Sequence, residues 1–126
     1  MTKRVISTEK APAAVGAYSQ AVAADGLIFC SGQVALDPAS GEFIGGSVGD
    51  QTRACMNNLS AVLEAAGSSL EKLVKVTIFL TNIDDFAEVN EAYASFFGTD
   101  PPARATVGVA GLPKGAQVEI ECVALA

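Results

Sequence analysis

Histidine is missing from this 126-residue sequence altogether, and cysteine occurs only three times. Without histidine there is no Ser-His or Cys-His nucleophile pair and no HExxH metalloenzyme motif, and the commonest metal ligand is gone. Cys30, Cys55 and Cys122 are an odd set without CxxC spacing, each in an apolar or strand-like context, which reads as reduced, buried thiols. No metal or disulfide is expected, and a chain of this length folds without either by burying roughly two-thirds of its unfolded surface. Basic residues are also scarce: 8 Lys and Arg against 14 Asp and Glu leave a net charge of −6. That balance opposes a broad phosphate-binding surface, so nucleic acid is not an expected partner. Long apolar runs are missing too, since nothing approaches the ~20 residues of a membrane span. In the opening "MTKRVISTEKAP", Ser7, Thr8, Glu9, Lys10 and Pro12 stand where a signal peptide needs an apolar core. The expectation is a cytoplasmic protein with no membrane partner. The glycines of "GEFIGGSVGD" lack both GxGxxG spacing and a Lys-Ser/Thr pair, so no phosphate cradle is expected.

What is present organises one domain over residues 1–126, with no repeat or linker. "AYSQAVAADGLIFCSGQVAL" reads as a hairpin about Asp25-Gly26, with Ile28 and Cys30 on one face and Leu27, Phe29 and Ser31 on the other. "DPASGEF" reads as turn and loop. From Ser47 or Asp50, the spacing of Cys55, Leu59, Val62, Leu63 and Ala66 predicts an amphipathic helix that Gly67 stops. "SSLEKL" carries a capping-box pattern from Ser68 to Glu71 for one helical turn. "VKVTIFL" follows as a strand, with Val74, Val76, Ile78 and Leu80 opposing Lys75, Thr77 and Phe79. A second helix is expected over 84–97, Phe86, Val89, Tyr93 and Phe97 lining one side and Asn90 facing the same way. Two hairpins, a central strand and two helices make an α+β sheet with both helices on one face. The other face, poor in charge, is expected to meet another copy of the chain.

Few polar groups remain for chemistry. Arg104, Thr106 and Gly108 alternate with Ala105, Val107 and Val109, so the arginine shares a strand face with a hydroxyl and a glycine. A guanidinium there suits a carboxylate ligand held by two parallel charge-assisted hydrogen bonds; an ion pair with Glu119 or Glu121 on a neighbouring strand serves equally well as an explanation. Glu119 and Glu121 project from one face of the last strand, where one can activate a water or both can be solvated surface charge. Asn90 is an internal strut or a site residue. Tyr18 reads as core or site, and Ser31 with Gly32 as a tight bend that allows close backbone approach.

The blocks "VGAYSQAV", "FCSGQ", "LEAAGSSLEKLVKVTIFLTNIDDFAEVNEAY", "PPARATVGV" and "LPKGAQVEIECVA", in this order from near residue 5 to near residue 125, resemble the RidA (YjgF) family of reactive-intermediate imine deaminases. The resemblance implies a chorismate-mutase-like α+β homotrimer with three clefts between subunits and no cofactor. It also implies that Arg104 binds the carboxylate of a 2-imino or 2-enamino acid and that Glu119 positions the hydrolytic water. Tyr18, Ser31, Gly32, Asn90 and Thr106 match positions lining the cleft, while Glu121 is left structural. The sequence departs from the family's common pattern at Ala17, where Pro is usual, and at Thr106, where Cys is usual; the second change alters the polarity of the implied pocket. The implied reaction gives a 2-oxo acid and ammonia from imines released by pyridoxal-phosphate dehydratases. The rival readings are a non-catalytic binder of small carboxylates or a holdase on the same fold, and a ribonuclease, which the acidic charge and missing histidine oppose.

Overall fold

In the computed structural model, which describes residues 2–126, Asp25 and Gly26 both take left-handed backbone (φ 52° and 79°). Two successive positive φ values make the tight turn whose twist suits a hairpin. It joins β2 (Ala21–Ala24) to β3 (Leu27–Gln33), and a short β1 (Arg4–Ile6), not anticipated from the sequence, pairs with the outer side of β2. Ile28 and Cys30 are buried whereas Phe29 is 47% exposed, the alternation read from the sequence.

Ser47 caps α1 (Val48–Ala65) through a reciprocal capping box, its Oγ accepting from the Asp50 N–H at 3.1 Å while Asp50 Oδ2 accepts from the Ser47 N–H at 3.2 Å. This satisfies two of the backbone donors that a helix start leaves free. The capping box expected from Ser68 to Glu71 does not form. The Ser68 hydroxyl instead donates to the Leu125 carbonyl at 2.6 Å, and residues 70–72 make a 3₁₀ turn without a side-chain cap. β4 (Leu73–Leu80) buries Val76, Ile78 and Leu80, but Val74 is exposed, because the register against the last strand shifts between Leu73 and Lys75. A 3₁₀ turn at Ile83–Asp85, its first N–H pair organised by Asn82, leads into α2 (Phe86–Ala94), shorter than the expected 84–97. β5 (Ala103–Gly108) and β6 (Val118–Leu125) complete the chain.

Among the described residues the sheet has six strands in the order β1-β2-β3-β6-β4-β5. The expected second hairpin is absent: β6 inserts between β3 and β4, antiparallel to both, and β5 lies parallel to β4 at the edge. A parallel neighbour requires a crossover, which α2 provides. Both helices cover one face, where Leu59, Val62 and Leu63 of α1 and Val89 and Tyr93 of α2 join Ile28, Val76, Ile78 and Ile120 in one core. Cys30 and Cys122 face each other across β3 and β6 within it, and Cys55 contacts the Val118 carbonyl. The opposite face is uncovered, with Phe29, Val107 and Leu125 40–51% exposed alongside Phe79 and Val123. Among the described residues no helix is long and apolar enough to cross a membrane.

Candidate active site

Strand register decides where each candidate side chain points. Glu119 and Glu121 of β6 stand opposite Phe79 and Thr77 of β4, on the uncovered face. Glu119 is half-buried, and desolvation, reinforced by the charge of Glu121, pushes its carboxyl above the usual range. Its side chain lies across Gly32 of β3. A Cβ at that position would collide with Oε2 and come within 2.9 Å of Cδ, so the carboxylate can keep this position only over a glycine. The backbone at Gly32 is not in the left-handed region; space alone sets the requirement.

Beside this pair runs a groove of about 720 Å³ whose lining includes Tyr18, Ser31, Gly32, Lys114 and Glu119. Four of the residues singled out from the sequence therefore meet in one place. Tyr18 is 52% exposed, which excludes a core role, and its hydroxyl accepts from the Val15 N–H at 3.4 Å. Ser31 is a local strut: its hydroxyl donates to the Ser19 carbonyl at 2.6 Å and its N–H to the Gln20 carbonyl. These bonds hold the 13–20 loop against β3. Lys114, in left-handed backbone (φ 62°) within the Pro113–Gly115 turn, was not anticipated; the Pro-Lys-Gly triplet is its only sequence signal.

Arg104 lies elsewhere. It is aligned with Val76 and Thr106 with Ile78 across β5 and β4, so both project to the helix-covered side. Arg104 Nη1 donates to Asn90 Oδ1 at 2.7 Å, and the guanidinium carbon sits over the rings of Phe86 (5.3 Å) and Tyr93 (5.2 Å). The ion pair with Glu119 or Glu121, the alternative explanation of Arg104, does not form, since β4 separates β5 from β6 and the two side-chain sets occupy opposite faces. A hollow of about 410 Å³, bounded by Asn90, Tyr93, Phe97, Pro101, Pro102 and Arg104, opens beside the guanidinium. Among the described residues, the Thr106 hydroxyl and the Tyr93 hydroxyl are the buried side-chain polar atoms without a hydrogen-bond partner. Asn90 thus holds Arg104 and also lines the hollow. The sequence places Phe86 and Tyr93 on one side of α2 together with Asn90, and this i, i+4, i+7 spacing is the signal that the three meet one partner.

The candidate residues fall into two groups, a carboxylate groove (Tyr18, Ser31, Gly32, Glu119) on one face and an arginine hollow (Asn90, Arg104) at the edge of the other, with Thr106 on the strand face of Arg104 but its hydroxyl buried, outside the hollow's lining. Two strand spacings, roughly 10 Å, and the sheet itself separate them within one chain.

This sheet, with two helices on one face and small-molecule-sized recesses at its strands, defines a chorismate-mutase-like α+β protein. Residues 8–126 match the family model described as Endoribonuclease L-PSP, and the chain belongs to that family, the RidA (YjgF) family. Over 122 residues it is 48% identical to a RutC family protein of Pyrococcus horikoshii, covering 97% of each chain. It is 48% identical over 123 residues to the 2-iminobutanoate/2-iminopropanoate deaminase of Rattus norvegicus, covering 98% of this chain and 90% of that one. The crystal structure of E. coli TdcF with bound serine superposes with a TM-score of 0.92 at 40% identity, over 98% of both chains.

Proposed function

We propose that this protein hydrolyses 2-imino and 2-enamino acids to 2-oxo acids and ammonia, in clefts where the arginine hollow of one copy meets the carboxylate groove of the next. The observation that carries this reading is the division of Arg104 and Glu119 between opposite faces of one sheet, the uncovered one of which also exposes Phe29, Val107 and Leu125. A second copy unites such halves without rearranging either, and a homotrimer closes the arrangement through repeated head-to-tail contacts.

Of the five N–H donors of Arg104, one is engaged by Asn90, leaving donors for a substrate carboxylate. The imine carbon is already electrophilic, so proximity and proton movement are the main requirements. Glu119 takes a proton from water as the water oxygen bonds to the imine carbon and the C=N π pair moves to nitrogen, which is protonated. The carbinolamine then collapses: its hydroxyl proton passes by way of the Glu119 carboxylate to the amine nitrogen, C=O forms, and the C–N bond breaks to release ammonia. Water supplies the oxygen of the 2-oxo acid, and no redox change occurs. The serine carried by TdcF and the activity named for the rat relative support a small amino- or imino-acid ligand.

The test is release of ammonia and 2-oxo acid from an imine generated by an amino-acid oxidase. The protein is expected to accelerate hydrolysis, and Arg104→Ala to lower kcat/KM on the order of a hundredfold or more, since bonds to charged groups are the strong ones. No acceleration across small and bulky imines, with 2-oxo acids still bound, would assign a binding protein instead.

A further inference from the structure

Phe86 is out of place for a structural residue. It opens α2 with its side chain 40% exposed and stands outside the apolar core, yet its ring lies under the Arg104 guanidinium. Tyr93, two turns on, supplies a second ring at 5.2 Å and is itself locked by Phe97, whose ring centroid is 4.9 Å away. Between them Asn90 accepts from Nη1. One stripe of a helix therefore contacts a single arginine three times, although that arginine forms no salt bridge among the described residues.

We infer that Phe86 and Tyr93 are positioning residues, an aromatic clamp that fixes the Arg104 guanidinium in the orientation that receives a substrate carboxylate. The inference rests on the reading of Arg104 as carboxylate anchor. Aromatic contacts use the flat faces of a guanidinium and leave its in-plane N–H groups free. Asn90 occupies one of these, leaving further N–H groups on an arginine that itself lines the hollow. An arginine held in this way loses little further freedom when ligand arrives, whereas a free side chain must be ordered at that moment. The clamp acts on binding of the carboxylate and leaves proton transfer at Glu119 untouched.

The experiment compares the parent with Phe86→Leu, Phe86→Tyr and Arg104→Ala, each confirmed by thermal unfolding and by its oligomeric state. KM and kcat are measured on an imino acid generated in situ. Dissociation constants are measured for 2-oxobutanoate and for its neutral amide. Phe86→Leu is expected to raise KM and the 2-oxobutanoate constant about fivefold, the size of a partly exposed cation–π contact, with kcat nearly unchanged. Amide binding should not move, and Phe86→Tyr, which keeps a ring, should restore both constants. A purely structural role predicts equal losses for acid and amide, and that result overturns the clamp. So does a parent-like Phe86→Leu alongside a weakened Arg104→Ala, which leaves the anchor reading intact. If Arg104→Ala also binds 2-oxobutanoate like the parent, the anchor reading falls and the clamp with it.

Discussion

Glu119 owes its raised pKa first to desolvation in the groove and second to Glu121, and the two causes separate experimentally. A general base must be ionised, so the acid limb of kcat/KM should lie above the ordinary glutamate value of about 4.3. Replacing exposed Glu121 with Gln removes the like charge and should move that limb to lower pH, which a pH–rate profile reads directly. The same shift has a stability consequence. Because the native state holds this proton more tightly than the unfolded chain, stability falls as pH rises from the unfolded pKa through the raised one. Glu119→Gln should therefore lower activity on the order of a hundredfold or more while leaving the protein somewhat more stable at neutral pH. Gly32→Ala tests the same carboxylate from beneath: the added methyl must displace Glu119, so activity should drop although the backbone conformation accepts alanine. At this scale the sequence was informative about identity and silent about company. The period-2 pattern placed Arg104 and Thr106 on one face, and they are. It could not assign that face to Asn90 rather than to Glu119, because the alternation within a strand says nothing about which strand lies alongside.

Among the elements, local signals were reliable wherever the deciding contacts are local. The Asp25-Gly26 turn and the apolar stripe of α1 act within a few residues and formed as read, and Ser47, one of the two expected starts of α1, caps it through an equally local box. Ser68 shows the limit. It has a capping-box spacing, but a carbonyl of β6, 57 residues away, takes its hydroxyl. The insertion of β6 between β3 and β4 is likewise non-local, and adjacency in sequence suggested a β5–β6 hairpin that the edge position of β5 rules out. Two substitutions measure these contributions. Ser47→Ala should destabilise by about 1 kcal/mol through loss of the cap. Leu59→Ala, at the fully buried centre of α1, should destabilise by about 2–5 kcal/mol, with denaturant titration as the readout for both.

Taken as a molecule, one chain exposes an apolar sheet face and two incomplete recesses on opposite sides of it. If copies complete each other, Arg104→Ala and Glu119→Gln should each be inactive as pure proteins. Mixing and reassembling them should create clefts with both residues intact, up to about a quarter of the total in a random equal mixture. Restored activity supports shared clefts, and its absence in demonstrably mixed assemblies contradicts them. Val107→Glu, on the uncovered face and away from both recesses, should weaken assembly in sedimentation experiments and reduce activity in parallel.

The three thiols extend this to time as well as structure. Cys30, Cys55 and Cys122 lie on β3, α1 and β6, all buried, and burial pushes the Cys55 thiol up to about 12 while the Cys122 thiol is raised most by its contact with Cys30. Alkylating reagents attack the thiolate, so the folded protein should be almost inert to them. Each labelled cysteine then records an opening event. Modification of all three at one rate would mean that the sheet and α1 part company together, whereas early labelling of Cys30 and Cys122 alone would show the β3–β6 seam opening while α1 still holds. The protein carries, without added probes, a stopwatch for its own unfolding.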